Sequence, residues 1–385
     1  MRVVNLSQRS EPIVVDVVQS PAVELLMSIL AMGDLLGLTK DINSYDMGKE
    51  RLKELQSSAS DDLLEDIEAL FGGPGTLGET CGKLLAFLVG FALDSGPKHD
   101  VETFLRNLES ARPAAVLLSL VGYHSRAHQP IADEVILRAV EGDSGAADEF
   151  VAAAAGRWGK NDGMVVALEH VLKLGPEAVQ RGLVTSLRRW DEEVFAQYKA
   201  EALPVMERDY RAKLKMTEEL TLERTIELAT NGVQFVAEPW IRRIVLAPTY
   251  ILRPWVLMTE HRDTMIYIFP VSDDSVGIDE SVPPPQLVKL HKALGDANRL
   301  RLLKRLAAGP MTLKEATDLL GSAKSTAFHH LAILRQAGLV WVREGEDKTY
   351  TLRDDLIPRA FELLQGFLQT GPPSTPDNVR SIGSS

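Results

Sequence analysis

Residues 323–340 read AKSTAFHHLAILRQAGLV. Ala327, Leu331 and Leu334 recur at helical spacing and form one apolar side, and Gly338 closes the pattern. Stepping about 100° per residue from Leu331 brings Ser325, His329 and Gln336 to the opposite side. That side is polar and small at its N-terminal end. It can donate and accept hydrogen bonds, as base edges in a major groove require.

Upstream, Thr312 stands before LKEATDLLG, and Glu315 three residues on completes a capping box. The expected helices Thr312 to Leu320 and Ala323 to Ala337, joined at Gly321-Ser322, form a helix-turn-helix. Before it, Leu287, Leu290 and Leu294 predict a first helix, and Asp296 caps a second with inner face Leu300, Leu303 and Leu306. After it, Leu339 to Glu344 and Lys348 to Leu352 predict two strands around a charged turn, a β-wing, followed by an amphipathic helix from Asp354 to Leu368.

Each side chain then has an expected role. Lys324, at the free N–H groups of the helix start, meets phosphate, and Thr312 adds a backbone contact. Ser325, Thr326 and His329 meet bases or nearby phosphates, Gln336 shares their side, and His330 lies nearer the buried side. Phe328 sits between the two faces and either touches a thymine methyl or packs sideways on the module. Arg343 and Lys348 follow the phosphate backbone or enter the adjacent minor groove.

The strings LGDANRLRLLKRLAAGPMTLKEATDLLG (294–321) and STAFHHLAILRQAGLVWVREGEDKTYTL (325–352) resemble the winged helix-turn-helix of the ArsR family of bacterial transcriptional regulators. The LGDxxRLRLL opening, the ST..HHL..L helix, the AGLV turn and the Y.L strand follow in family order, over less than a quarter of the chain. The resemblance implies a homodimer joined through the first and last helices of the module, with one recognition helix in each of two successive major grooves. The sequence departs from the family in informative ways. Family metal sensors carry ligands in the helix before the recognition helix or in the last one, whereas TLKEATDLLG and DDLIPRAFELLQGFL hold neither Cys nor His. A metal switch of those types is therefore not expected. Ala323 stands where the family has a capping serine, leaving Ser322 as a substitute one position early, and Phe328 replaces a frequent serine.

The remainder of the 385 residues reads as an acidic body. Residues 283–369 carry 13 Lys+Arg against 9 Asp+Glu; their net of +4 within a chain of −12 leaves −16 elsewhere. A mildly basic module beside an acidic body suits a domain that meets an anion. The single cysteine, Cys81, rules out an intramolecular disulfide and a multi-cysteine metal site, in keeping with a reducing compartment. The start of the chain has no secretory signal, and the longest apolar run, Leu84 to Leu93, is too short for a bilayer, so the expected location is cytoplasmic, without membrane.

Ile13 to Val18 is β-like, and Ser20-Pro21 reads as N-cap and first helical residue. Helical patterns then run to about Gly232, broken at Gly72-Gly73-Pro74-Gly75, Ser95-Gly96-Pro97, Arg112-Pro113, Gln129-Pro130 and Gly175-Pro176, with long helices interrupted near Pro204. Val233 to Ala237, Arg243 to Leu246, Trp255 to Thr259 and Thr264 to Val271 predict a small antiparallel sheet. Pro283-Pro284-Pro285 predicts a stiff boundary. The expected fold is α+β, mainly α: a helical region ending in a small sheet (1–282), a winged helix-turn-helix (283–369) and a disordered tail (370–385).

Three strings imitate catalytic motifs. GPGTLG at 73–78 follows a helical pattern rather than a strand, GSAKST at 321–326 lacks the leading glycine of a phosphate loop, and GDSG at 142–145 lies in helical context as a turn. His99, His124, His128, His170 and His261 show no HxxxH or HExxH spacing beyond the i, i+4 pair His124/His128, and they read as surface or packed histidines. The expectation is a non-enzymatic, sequence-specific regulator of double-stranded DNA, a repressor, homodimeric, without catalytic residue, cofactor or metal. Its N-terminal region senses a non-metal signal, with no small-molecule effector identifiable from sequence, or mediates dimerisation. The alternative is a scaffolding protein whose winged helix contacts protein.

Overall fold

The Ser20 hydroxyl accepts the Val23 N–H at 3.1 Å and Pro21 takes the first position of a helix, as the dipeptide predicts. The computed structural model describes residues 13–32, 45–71, 79–95, 99–160, 162–230, 232–233, 235–276, 283, 285–343, 349–353 and 356–369. The arm at 1–12, the GPGTLG string, the break at 96–98, Lys348 with the wing turn, and the tail at 370–385 lie outside them, as does the Cys81 side chain. Two compact units emerge: residues 1–230 with 235–275, and residues 231–234 with 276–385.

In the first unit β1 (Val14–Val17) leads to α1 (Pro21–Met32), α2 (Lys49–Gln56), α3 (Asp61–Phe71), α4 (Glu79–Asp94), α5 (Val101–Ser110) and α6 (Pro113–Leu120). Next come α7 (Asp133–Val140), α8 (Ser144–Trp158), α9 (Gly163–Leu174), α10 (Pro176–Glu193), α11 (Lys199–Glu219) and α12 (Leu222–Ala229). β2 (Arg243–Thr249), β3 (Leu257–His261), β4 (Thr264–Pro270) and α13 (Asp273–Val276) complete the series. Among the described residues no helix is long and apolar enough to cross a membrane.

Every residue of α1 after Pro21 is buried, and all of these but Glu24 and Ser28 are apolar, so this helix lies inside the unit. Glu24 is the one ionisable residue among them. Its carboxylate accepts the Thr249 hydroxyl at 2.5 Å, the Tyr250 N–H at 3.0 Å, the Ile251 N–H at 2.9 Å and the Tyr198 hydroxyl at 3.4 Å. These bonds tie α1 to the turn that ends β2. Desolvation outweighs them and raises the Glu24 pKa to about 7.

Three expectations for this unit are corrected. The sheet is mixed, ordered β1-β2-β4-β3: β1 pairs with β2 and β2 with β4 in parallel, and β3 with β4 is the antiparallel pair. The runs RIVLAPT and TMIYIFP are nearly continuous in burial, the mark of strands covered on both faces, rather than the alternation of a half-solvated antiparallel sheet. Val233 to Ala237 adds no strand to it; Val233 instead bridges Val342. Pro204 lies inside α11 and does not break it. It stands in the second turn, where it removes one ladder bond, and the real interruption is the 3-10 turn Phe195–Gln197.

The second unit holds α14 (Pro285–Leu294), α15 (Ala297–Leu306), β5 (Met311–Thr312), α16 (Leu313–Leu320) and α17 (Lys324–Gln336). β6 (Val340–Arg343), β7 (Thr349–Leu352) and α18 (Leu356–Gln369) follow. Pro285 opens α14, so the third proline starts a helix instead of extending the boundary segment. Leu290, Leu302, Leu303, Leu306, Leu331 and Leu334 meet in one core. Leu300 is not among them at 49 % exposure; the inner face of α15 runs through Leu302, Leu303 and Leu306, with the Arg299 side chain 12 % exposed.

The wing is a three-stranded sheet, β5-β7-β6, because Met311 and Thr312 pair with Tyr350 and Thr349. The free edge of β6 is met by Val233, one residue after Gly232, whose φ of +116° suits glycine. A Cβ on Gly232 would lie 2.6 Å from Trp341 Cε3, and the Trp341 ring carries the Arg353 guanidinium 4.4 Å from its centroid. Gly232→Val is expected to destabilise this contact by about 1–3 kcal/mol, through both backbone strain and overpacking. Hydrogen exchange at the β6 amides measures it; unchanged protection there would show that the 232–233 contact contributes nothing.

Candidate nucleic-acid interface

The interface begins with a capping box. The Thr312 hydroxyl accepts the Glu315 N–H at 3.2 Å, while the Glu315 carboxylate accepts the Thr312 N–H at 2.7 Å and its hydroxyl at 2.9 Å. The Thr312 N–H and hydroxyl hold the Glu315 carboxyl below its ordinary pKa. The Thr312 hydroxyl therefore works within the fold. Thr312→Ala is expected to cost about 1 kcal/mol of stability, read as a lower urea midpoint for the second unit.

Gly321 ends α16 in the left-handed conformation at φ +60°, ψ +34°, and its N–H reaches back to the last turn. This tight turn delivers the chain into α17. Ala327, Leu331 and Leu334 are buried on one side of α17, and Lys324, Ser325, Thr326 and His329 are exposed. Phe328 is 40 % exposed, which puts it with the outer group. Gln336 is half-buried at the far end.

No side chain caps α17. Ala323 offers no acceptor, and the Ser322 hydroxyl donates to the Ala323 carbonyl at 3.4 Å, so the expected substitution by Ser322 does not occur. The first-turn N–H groups stay available beside Lys324, with no acidic residue in that turn to repel an anion.

His330 turns inward, with Nδ1 3.7 Å from the Asp296 carboxylate. Burial lowers its pKa against the opposing pull of Asp296. Asp296 also caps α15 by accepting the Arg299 N–H at 2.9 Å, and Arg299 donates to the carbonyls of Ala293 and Lys292, locking the end of α14 to the start of α15. His330 is thus separated from the outer side shared by Ser325 and His329.

Residues 294–343 match the family described as Helix-turn-helix domain. The chain is also similar to an uncharacterized HTH-type transcriptional regulator of Methanocaldococcus jannaschii, 38 % identical over 78 residues, which are 20 % of this chain and 88 % of that protein. The chain belongs to the HTH-type transcriptional regulators. No solved structure matches it.

In this regulator the wing's Arg343 lies at the end of β6, its Cα opposite Thr349; the Arg343 side chain and Lys348 fall outside the described residues. Among the described residues no group of three or more His, Cys, Asp or Glu is placed to hold a metal ion. His124 and His128 do not share a helix face, because 121–130 is a run of turns. The His124 ring lies tilted against that of His261 at 4.9 Å, and His128 lies edge-on to Phe150 at 4.7 Å.

Sequence reasoning missed the roles of Asp296 toward His330, of Arg299 as a helix clamp, and of Arg353 under Trp341. The first has a local signal, since Asp296 is the N-cap of α15. The other two depend on contacts that helix periodicity does not reveal.

Proposed function

We propose that this chain is a sequence-specific regulator of the ArsR-like type, acting on double-stranded DNA as a homodimeric repressor. The observation that carries the reading is the N-terminal half of α17: an uncapped helix led by Lys324, exposing Ser325, Thr326, Phe328 and His329 while Ala327, Leu331 and Leu334 anchor it. Such a helix offers positive first-turn N–H groups to phosphate and mixed hydrogen-bonding side chains to bases. On α18, Phe361 and Leu368 are 62 % and 70 % exposed, an apolar surface that a second copy would cover, in keeping with a dimer through the first and last helices.

The acidic N-terminal unit is assigned the signal, or the support of the dimer. The α16 and α18 sequences hold no Cys or His, which favours a non-metal signal. The reading includes no catalytic step and no cofactor. Selection of bound genomic fragments with the purified full chain tests it. An enriched inverted repeat, with half-sites one helical turn apart, is the expected product, and transcription from a promoter carrying it should fall on adding the protein. No enriched sequence would overturn the reading in favour of a scaffolding role.

A further inference from the structure

In the first unit, the turn containing His128 and the C-terminal half of α8 line a half-open pocket of about 360 Å³, within the size range of small-molecule sites. Its walls are mostly apolar, built from Pro130, Ile131, Ala154 and the Trp158 indole. His128 stands among them, 4 % exposed and edge-on to the rings of Phe150 and Trp158. Its Nε2 donates to the Val121 carbonyl at 2.5 Å, which assigns Nδ1 as an acceptor, and Nδ1 has no hydrogen-bond partner. Burial lowers the His128 pKa, so the ring adds no positive charge near neutral pH.

Arg157 is the one charged side chain in the lining. It donates from Nη1 to the Gln129 carbonyl at 3.1 Å, and its guanidinium carbon lies 5.4 Å from the Trp158 ring centroid. Among the described residues no carboxylate pairs with it. A guanidinium held by a neutral carbonyl and an aromatic ring keeps N–H donors for an anion, and beside apolar walls a charge-assisted bond gains strength. With one cation and no second positive group, the lining suits a single carboxylate rather than a polyphosphate.

We propose that this cavity binds a small apolar monocarboxylic acid, its carboxylate on Arg157 and its apolar body against Trp158 and Ile131. That this acid is the regulator's signal rests on the function proposed above; the binding itself does not. Calorimetric titration of the full chain with phenylacetate, octanoate and naphthoate, without DNA, tests the site. At least one of these acids is expected to bind with one-to-one saturation, and its neutral amide about tenfold more weakly. Arg157→Gln should weaken the acid by a similar factor. Ala153→Trp, which places a large ring at an exposed position of the lining, should abolish binding with the far-ultraviolet circular dichroism unchanged. Absence of saturable binding by all three acids, or equal binding by wild type and both variants, overturns the site. If acid binds but saturation leaves operator affinity unchanged, the site stands and its assignment as the signal is overturned.

Discussion

Ser325→Ala combined with His329→Ala is expected to lower affinity for the selected operator on the order of a hundredfold, while affinity for unrelated DNA changes by no more than about twofold. Both side chains are exposed on the side of α17 opposite Leu331, so their loss would remove the proposed base contacts without disturbing the core. Such surface changes usually shift stability by no more than about 0.5 kcal/mol. Lys324→Gln should behave differently. It removes a charge beside the uncapped helix start, weakens every sequence alike, and makes the dependence of log K on log salt shallower by about one. Titrations against operator and scrambled duplexes at several salt concentrations separate the two classes. Equal losses on both duplexes for the double variant would remove Ser325 and His329 from base reading.

A comparably large effect is expected at Glu24. Its ordinary pKa of 4.5 rises to about 7 in the fold, because burial favours the protonated form. Below pH 4.5 the carboxyl is protonated folded and unfolded, and its neutral form is accommodated at no titration cost. As pH rises from there, the unfolded chain loses its proton first, so stability falls until the folded carboxyl also ionises near pH 7. The total is about 3 kcal/mol, to order of magnitude. Urea midpoints of wild type minus Glu24→Gln, followed by far-ultraviolet circular dichroism, should decline across that window and level off above it. Glu24→Ala is expected to be worse than Gln at every pH, because the Thr249 hydroxyl and the Tyr250 and Ile251 N–H groups lose their acceptor inside the core. A flat difference curve for Glu24→Gln would mean that the carboxyl titrates as it does in water.

Much of the winged module was legible because its determinants are local. Thr312 with Glu315, Asp296 before α15, Gly321 and Gly338 are capping and turn residues whose partners lie within a few positions, so spacing alone reveals them. The outward side of α17 followed from 3.6-residue periodicity, and Ser325 and His329 are exposed as the angular count requires. Leu300 shows the limit of that counting. Three leucines at plausible spacing admitted two neighbouring faces, and the contacts of Leu302 and Arg299 selected the other.

Local residues were enough to place the helix-turn-helix, the β6–β7 hairpin of the wing and the helical character of the acidic body, and to show α16 and α18 without Cys or His; the third wing strand, β5, was not among them. Each of these depends on residues within one or two turns of one another, where propensity and capping dominate. The tertiary structure decided what distant residues do together: parallel pairing of β1 with β2 across more than two hundred positions, Glu24 bound to the end of β2, and Val233 on the edge of the wing. It also decided the inward turn of His330 and the uncapped start of AKSTAFHHLAILRQAGLV, the stretch proposed to read DNA. Burial and long-range pairing set these outcomes, and neither leaves a period in the chain.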